Sequence, residues 1–257
     1  MKRNQKILYV TTEMFPYQES SSIASTVNKM ALKMHREGRD VRVFMPRFGP
    51  ISERKFQLHE VIRLSGMNII INDLDQPLII KVASLPGERL QMYFIDNEEY
   101  FKRKFYYTDE NDRFYEDNDE RAVFFAKGVI ETVKKLNWVP DIIHFNGWMS
   151  SFVPIYLKNY YRKDFYFSKT TLVMSLYNEE DAEFNPKVKE TLRFDNITDI
   201  KSIKEPKVQN FVIESMEFVD KIVKGDEFLE EKLERAYNSL EKEKLDFLEP
   251  ENIGGIY

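Results

Sequence analysis

The stretch Asp141-Ile142-Ile143-His144-Phe145-Asn146-Gly147-Trp148 constrains the fold most, because a short apolar run ends in polar residues and opens into an amphipathic segment. That order predicts a strand feeding a helix. In an open parallel sheet, ligands collect at the carboxyl ends of the strands, so His144, Asn146 and Trp148 are expected to face a cleft. Each also has a structural reading. A His near a strand end serves equally well to hydrogen-bond a neighbouring loop, and a Trp at a helix start serves to anchor the floor of a cleft.

The same rhythm recurs along the chain. Residues 6–11 read as a strand, Ile23, Val27, Met30, Ala31 and Met34 recur at helical spacing up to Gly38, and residues 41–45 read as the next strand. Strand, helix, strand in this order implies a right-handed crossover and a parallel sheet. Between His59 and Asn97 the β-rich pieces 67–72, 78–83 and 90–95 read as hairpins or an insertion beside the main sheet. Asn118 is an N-cap candidate for a long helix carrying Phe125, Val129, Ile130 and Val133. A helix over 148–160, a strand over 171–176, a charged loop at Glu179-Glu180-Asp181, a helix over 208–218 and a strand over 221–223 follow. The last element is read as a charged helix over 226–244 with Leu229, Leu233, Ala236 and Leu240 on one side. The fold class is therefore α/β, a Rossmann-like parallel sheet flanked by helices. The clusters Phe105-Tyr106-Tyr107 and Phe114-Tyr115 suit either sugar stacking or a loop packed over the sheet, and packing is the expected role.

With 42% hydrophobic and 32% charged residues in 257, the chain has the material for one large core. A net charge of -5 and the lack of a long basic run argue against nucleic acid as a partner. No apolar stretch is long enough to span a bilayer and residues 1–6 run directly into a strand, so no membrane partner and a cytoplasmic location are expected. Without cysteine, and with only His35, His59 and His144, the sequence offers no thiol chemistry and no metal-ligand spacing; neither a metal nor another cofactor is expected.

Several separated segments resemble one family. Residues 7–17 (Ile-Leu-Tyr-Val-Thr-Thr-Glu-Met-Phe-Pro-Tyr), 38–49 from Gly38 to Gly49, Tyr93-Phe94-Ile95-Asp96-Asn97, residues 115–121 and residues 141–154 are similar, in order, to the glycogen and starch synthases. The resemblance implies the GT-B arrangement, in which two Rossmann-like domains face each other and glucose passes from ADP-glucose to an α-1,4-glucan in the cleft. By length the chain resembles the N-terminal domain alone, with 1–225 as that domain and 226–257 as a C-terminal helix and tail packing on it.

The departures from the family pattern fall at its chemistry. Where the family carries a Lys-Thr-Gly-Gly-Leu-Ala-Asp loop, this chain has Glu19, Ser20, Ser21, Ser22, Ile23, Ala24 and Ser25. A cation becomes an anion, two glycines gain side chains and a carboxylate is lost; the serines are expected to cap the helix near Ile23. Gly147 stands where the family's His-Asn/His-Asp-Trp motif has Asp. Tyr177 stands for the His of the later Thr-Ile/Val-His-Asn motif, and Asn178 is retained.

Three functional readings follow. By resemblance the chain is a glycogen/starch synthase-like protein of α-glucan metabolism, but without the donor domain and the motif residues it is not expected to be an autonomous synthase. The alternative is a non-catalytic glucan-binding or regulatory module acting with a full-length synthase or a second-domain protein. Its ligand is an α-glucan or a nucleotide sugar, and its binding candidates are Glu13, His144, Asn146, Trp148, Tyr177 and Asn178. The third is a different small-molecule enzyme using the acids Glu13, Glu179 or Asp181.

Overall fold

The structure is a computed structural model that describes residues 4–18, 21–247, 249, 252 and 256–257. In chain order its elements are β1 (Lys6–Thr11), α1 (Ser22–Arg36), β2 (Asp40–Pro46), α2 (Glu53–Phe56), β3 (His59–Glu60), β4 (Met67–Ile71), β5 (Leu74–Ser84), β6 (Gln91–Asp96), α3 (Glu98–Phe101) and α4 (Asn118–Lys135). Then come β7 (Ile142–Asn146), α5 (Phe152–Lys158), β8 (Thr171–Leu176), α6 (Val188–Phe194), α7 (Val208–Met216), β9 (Lys221–Lys224), α8 (Glu231–Ser239) and β10 (Glu243–Leu245).

The strands form one sheet in the order β10-β9-β8-β7-β1-β2-β6-β5-β3, with β4 paired off this path to β5. From β10 to β6 every pairing is parallel. Strands buried on both faces require unbroken apolar runs. β1 meets that demand, since Ile7, Leu8, Tyr9 and Val10 are all fully buried. The chain leaves β1 for β2 on one side and later returns to place β7 on the other, so the strand order reverses between β1 and β7. A crevice opens at such a reversal, outside the carboxyl ends of the two strands.

Three expectations need correction. The pieces over 67–72, 78–83 and 90–95 do form hairpins, β4 with β5 and β5 with β6, but not an insertion: β6 runs parallel beside β2 in the main sheet, with Phe44 opposite Tyr93. β5 keeps one more exposed face, while β6 is buried from Met92 to Asp96, as a strand inside the main sheet must be. The C-terminal helix stops at Ser239, and residues 243–245 become the edge strand β10 beside β9. Alternating charged side chains suit an exposed edge, where Lys221 pairs with Glu243. At the start of α4 the cap position belongs to Asp117, without a side-chain bond. Asn118 instead donates to the Tyr107 carbonyl at 2.8 Å and accepts from the Arg121 guanidinium.

Arg121 is the largest fully buried side chain. Its Nε donates to the Tyr100 carbonyl at 2.7 Å and a terminal nitrogen to the Tyr106 carbonyl at 2.8 Å. The guanidinium lies against the rings of Phe48, Phe101 and Tyr115. A planar cation with five fixed donors can satisfy several loop carbonyls at once, and here it ties α4 to the aromatic loop between α3 and α4.

Candidate functional site: a carboxylate-lined cleft at the strand ends

A cavity of about 460 Å³ opens at the reversal point. Glu13 reaches it from the end of β1, Trp148 from the end of β7, and Asn178, Glu179 and Glu180 from the end of β8. Tyr107, Asp112 and Phe114 close it from the aromatic loop, and Ser21 and Ser22 from the start of α1.

The first turn after β7 sets the floor. Gly147 has φ +80°, and a Cβ there would stand 1.9 Å from Thr12 Oγ1. Glycine is thus demanded twice, by the backbone angle and by the approach of β1. The Asp of the family pattern has no room in this backbone. Directly after it the Trp148 N–H donates to Glu179 Oε1 at 3.0 Å. The Trp148 ring is 5% exposed and lies 5.5 to 5.6 Å from Tyr107, Phe114 and Phe184, so it both walls the cavity and anchors its floor.

Two carboxylates carry the electrostatics. Glu13 is only 6% exposed; Tyr107 donates to its Oε1 at 3.3 Å, while Oε2 has no hydrogen-bond partner among the described residues. Burial raises its pKa above the usual carboxylate range, with the neighbouring polar side chains of Ser21, Tyr107 and Gln18 opposing the rise. For Glu179 burial is again the main cause and the charges of Glu13 and Asp226 add to it; against the opposing Trp148 N–H they push its pKa up to about 8. At neutral pH Glu179 therefore holds its proton in most molecules.

The remaining candidates divide into rim and interior. Ser21 accepts from the Ala24 N–H at 3.0 Å with φ -116°, so it caps α1 without strain, and Ser22 lies 3.4 Å from Asp226. Ser25 is exposed on α1 and is not among the cavity-lining residues, and Glu19 lies outside the described residues. Asn178 is a rim residue with structural work: its Nδ2 donates to the Phe228 carbonyl and its Oδ1 accepts from the Glu230 N–H, both at 2.7 Å.

His144, Asn146 and Tyr177 do not face the cavity. His144 is fully buried, with Nδ1 2.6 Å from the Tyr257 hydroxyl and Nε2 2.7 Å from Ser175 Oγ, and burial lowers its pKa to about 3. Asn146 accepts from the Tyr177 hydroxyl at 2.9 Å and donates to the His144 carbonyl at 3.2 Å. The expectation that His144 and Asn146 sit in the cleft fails because β7 extends through Asn146, so both are still inside the sheet. The cavity residues Thr108, Asp112 and Glu180 were absent from the sequence candidates, whereas Phe114 belongs to an aromatic cluster expected to pack over the sheet, and it lines the cavity as well. Among the described residues no group of three or more His, Asp or Glu side chains gathers as a metal site, and no helix is long and apolar enough to cross a membrane.

A parallel sheet flanked by helices, with polar groups gathered at its reversal point, defines an α/β protein of the Rossmann-like class. The family follows from the comparisons. A family model described as the starch synthase catalytic domain matches residues 6–238, and the chain belongs to that family. The glycogen synthase of Chlorobium limicola is 38% identical over 178 residues, 69% of this chain and 36% of that protein. The glycogen synthase of Chlorobaculum parvum is 36% identical over 189 residues, 73% of this chain and 39% of that protein. The chain thus spans little more than a third of the length of these curated relatives. Among solved structures, the catalytic domain of starch synthase IV from Arabidopsis thaliana, bound to ADP and acarbose, matches with a TM-score of 0.66 at 18% identity. The match covers 86% of this chain and 44% of that one, a likeness of fold.

Proposed function

We propose that this chain serves α-glucan metabolism by binding glucan in the strand-end cleft and does not itself transfer glucose from ADP-glucose. The observation that carries this reading is the cleft's lining. Tyr107, Phe114 and Trp148 offer aromatic surface, and Glu13, Asn178 and Glu179 offer polar groups. No Lys or Arg is among the described lining residues. Sugar hydroxyls and ring faces suit such a surface. A nucleotide diphosphate does not, since glycosyl transfer depends on preorganised positive charge at the departing phosphate. Tyr177, at the family's His position, has its hydroxyl committed to Asn146 and its ring buried, so it offers no imidazole chemistry to the cleft.

The test is a pair of measurements on the purified chain. Titration with maltoheptaose is expected to shift amide and indole signals around Trp148, whereas incubation with labelled ADP-glucose or UDP-glucose and a malto-oligosaccharide primer is expected to give no extension. Primer extension would sink the non-catalytic half of the reading; absence of any shift with maltoheptaose, together with no retardation in glycogen-containing native gels, would sink the glucan half.

A regulatory version, in which the cleft face meets a full-length synthase or a second-domain protein, is favoured by two large apolar side chains near the rim. Phe15 is 47% exposed and Phe228 is 78% exposed. Sedimentation of the chain with a full-length glycogen synthase tests it, with a complex expected and independent sedimentation counting against it.

A further inference from the structure

We propose that the chain associates head to tail, with residues 226–231 of one copy docked in a basic, aromatic groove at the opposite end of the sheet of the next copy. The proposal goes beyond the glucan reading and does not rest on it.

A groove of about 350 Å³ lies at the amino ends of β8 and β9, where Leu172 and Asp220 form part of its wall. Leu157, Tyr161, Phe165 and Phe167 supply apolar surface, and Lys158 and Arg162 supply charge. The two acids in the wall are already matched. Asp164 pairs with Lys134 at 2.7 Å and accepts from the Tyr166 N–H at 2.9 Å; Asp220 accepts from the Leu172 N–H at 2.8 Å and feels the charge of Lys242. Lys158 and Arg162 are exposed and have no ion-pair partner among the described residues, so the groove carries surplus positive charge in a chain whose net charge is -5. At the carboxyl end of β9 the balance is reversed. Glu227, Phe228 and Glu230 are exposed there, and neither Glu has a cationic partner among the described residues; Glu230 bonds only the Gln209 amide, at 2.8 Å. Solvated acids alone imply no partner, but here they flank an aromatic ring that is held out in a fixed position. The Asn178 side chain grips the Phe228 carbonyl and the Glu230 N–H, so docking this segment costs little ordering. Phe165, 83% exposed, and Phe228 are the two most exposed aromatic side chains among the described residues. Aromatic and Arg side chains are the usual anchors of an interface, and opposite charge around them sets the register. The six residues of β8, at about 3.3 Å each, keep the two surfaces roughly 20 Å apart, so residues 226–231 cannot fill the groove of their own chain. The match exists only between copies. Because it joins two different patches, each copy stays open to a further one instead of closing as a symmetric dimer.

Sedimentation velocity on the full chain is the test. The average sedimentation coefficient should rise with protein concentration at low salt and fall back to that of the monomer at about 1 M salt, where charges are screened beyond about 3 Å. Lys158→Glu with Arg162→Glu reverses the groove, and Glu227→Lys with Phe228→Ser reverses the rim. All four side chains are exposed, so each variant should keep the circular dichroism spectrum of the original; Phe165→Ser is the second groove variant should the charge reversal unfold. Each variant alone should associate about tenfold or more weakly. Mixed together, the two should form a one-to-one pair that grows no further, because the groove variant keeps an intact rim and the rim variant an intact groove. Monomers at every concentration and salt, association that survives either variant, or a mixture that stays apart would overturn the proposal. Association with a full-length glycogen synthase but not with itself would overturn it too, and would assign Phe228 to that partner.

Discussion

The Trp148 backbone N–H and the Glu179 carboxylate meet at 3.0 Å, joining the turn after β7 to the loop after β8 across the candidate cleft. The bond fixes where the Trp148 ring stands and leaves Glu179 with one oxygen for the cavity. It also couples the chemistry of the cleft to the stability of its floor.

Glu179 gives a pH dependence with a definite sign. Its folded pKa, about 8, lies above the ordinary carboxylate value of 4.5. The folded chain therefore binds the extra proton between those limits. The contribution is fully present below about pH 4.5 and is lost as pH rises through 8, with a slope of at most about 1.4 kcal/mol per pH unit. Urea unfolding at a series of pH values should show this fall in the unaltered chain and its removal in Glu179→Gln; parallel profiles for the two would count against it.

Restoring the family's residue at the floor should be costly. Gly147→Asp places a Cβ in a left-handed backbone and against Thr12 Oγ1. A loss of roughly 2 to 4 kcal/mol in chemical unfolding is expected, from strain and displacement together. Pairing it with Thr12→Ala should recover only part, since the backbone angle remains. A Gly147→Asp variant as stable as the original would contradict the geometry.

His144 should behave as a structural residue. With its ring neutral down to about pH 3, its carbon-bound proton signals should stay fixed between pH 5 and 8. His144→Ala empties a buried site and leaves the Ser175 and Tyr257 hydroxyls without their partner. A stability loss of about 2 to 4 kcal/mol is expected, with maltoheptaose affinity of the folded fraction within about twofold of the original. A large affinity loss at unchanged stability would mean the imidazole reaches the ligand.

Arg121→Lys should loosen the aromatic loop. Lysine keeps the charge but cannot reach the Tyr100 and Tyr106 carbonyls together, nor lie flat between rings. Each buried carbonyl left without its donor costs about 1 to 3 kcal/mol. Amide exchange over residues 102–117 should quicken more than exchange in β1; uniform change across both would show that the residue serves the whole core instead.

The parallel framework was readable because its strands are buried on both faces, which forces runs such as Ile7 to Val10 that no helix period explains. Ser21 was readable as a cap from its place before Ile23. β5 and β6 were harder, because alternation specifies a half-covered strand without saying which sheet it joins. The end of α8 was hidden by an apolar spacing that continues to Leu240, although backbone pairing claims residues 243–245. For His144 the difficulty was one strand length: only residues beyond Asn146 emerge from the sheet. Tyr257, 113 residues from His144 in sequence, left no local trace of their contact.

Asn178 stands at the cleft rim, yet its side-chain amide fastens the chain at Phe228 and Glu230, just ahead of α8. Anything in the cleft that tugs on that amide would have to unpick the fastening first. Occupancy would then be legible at a distance, as a change in how firmly the last helix is moored, and a reporter group placed there could follow the site without ever touching it.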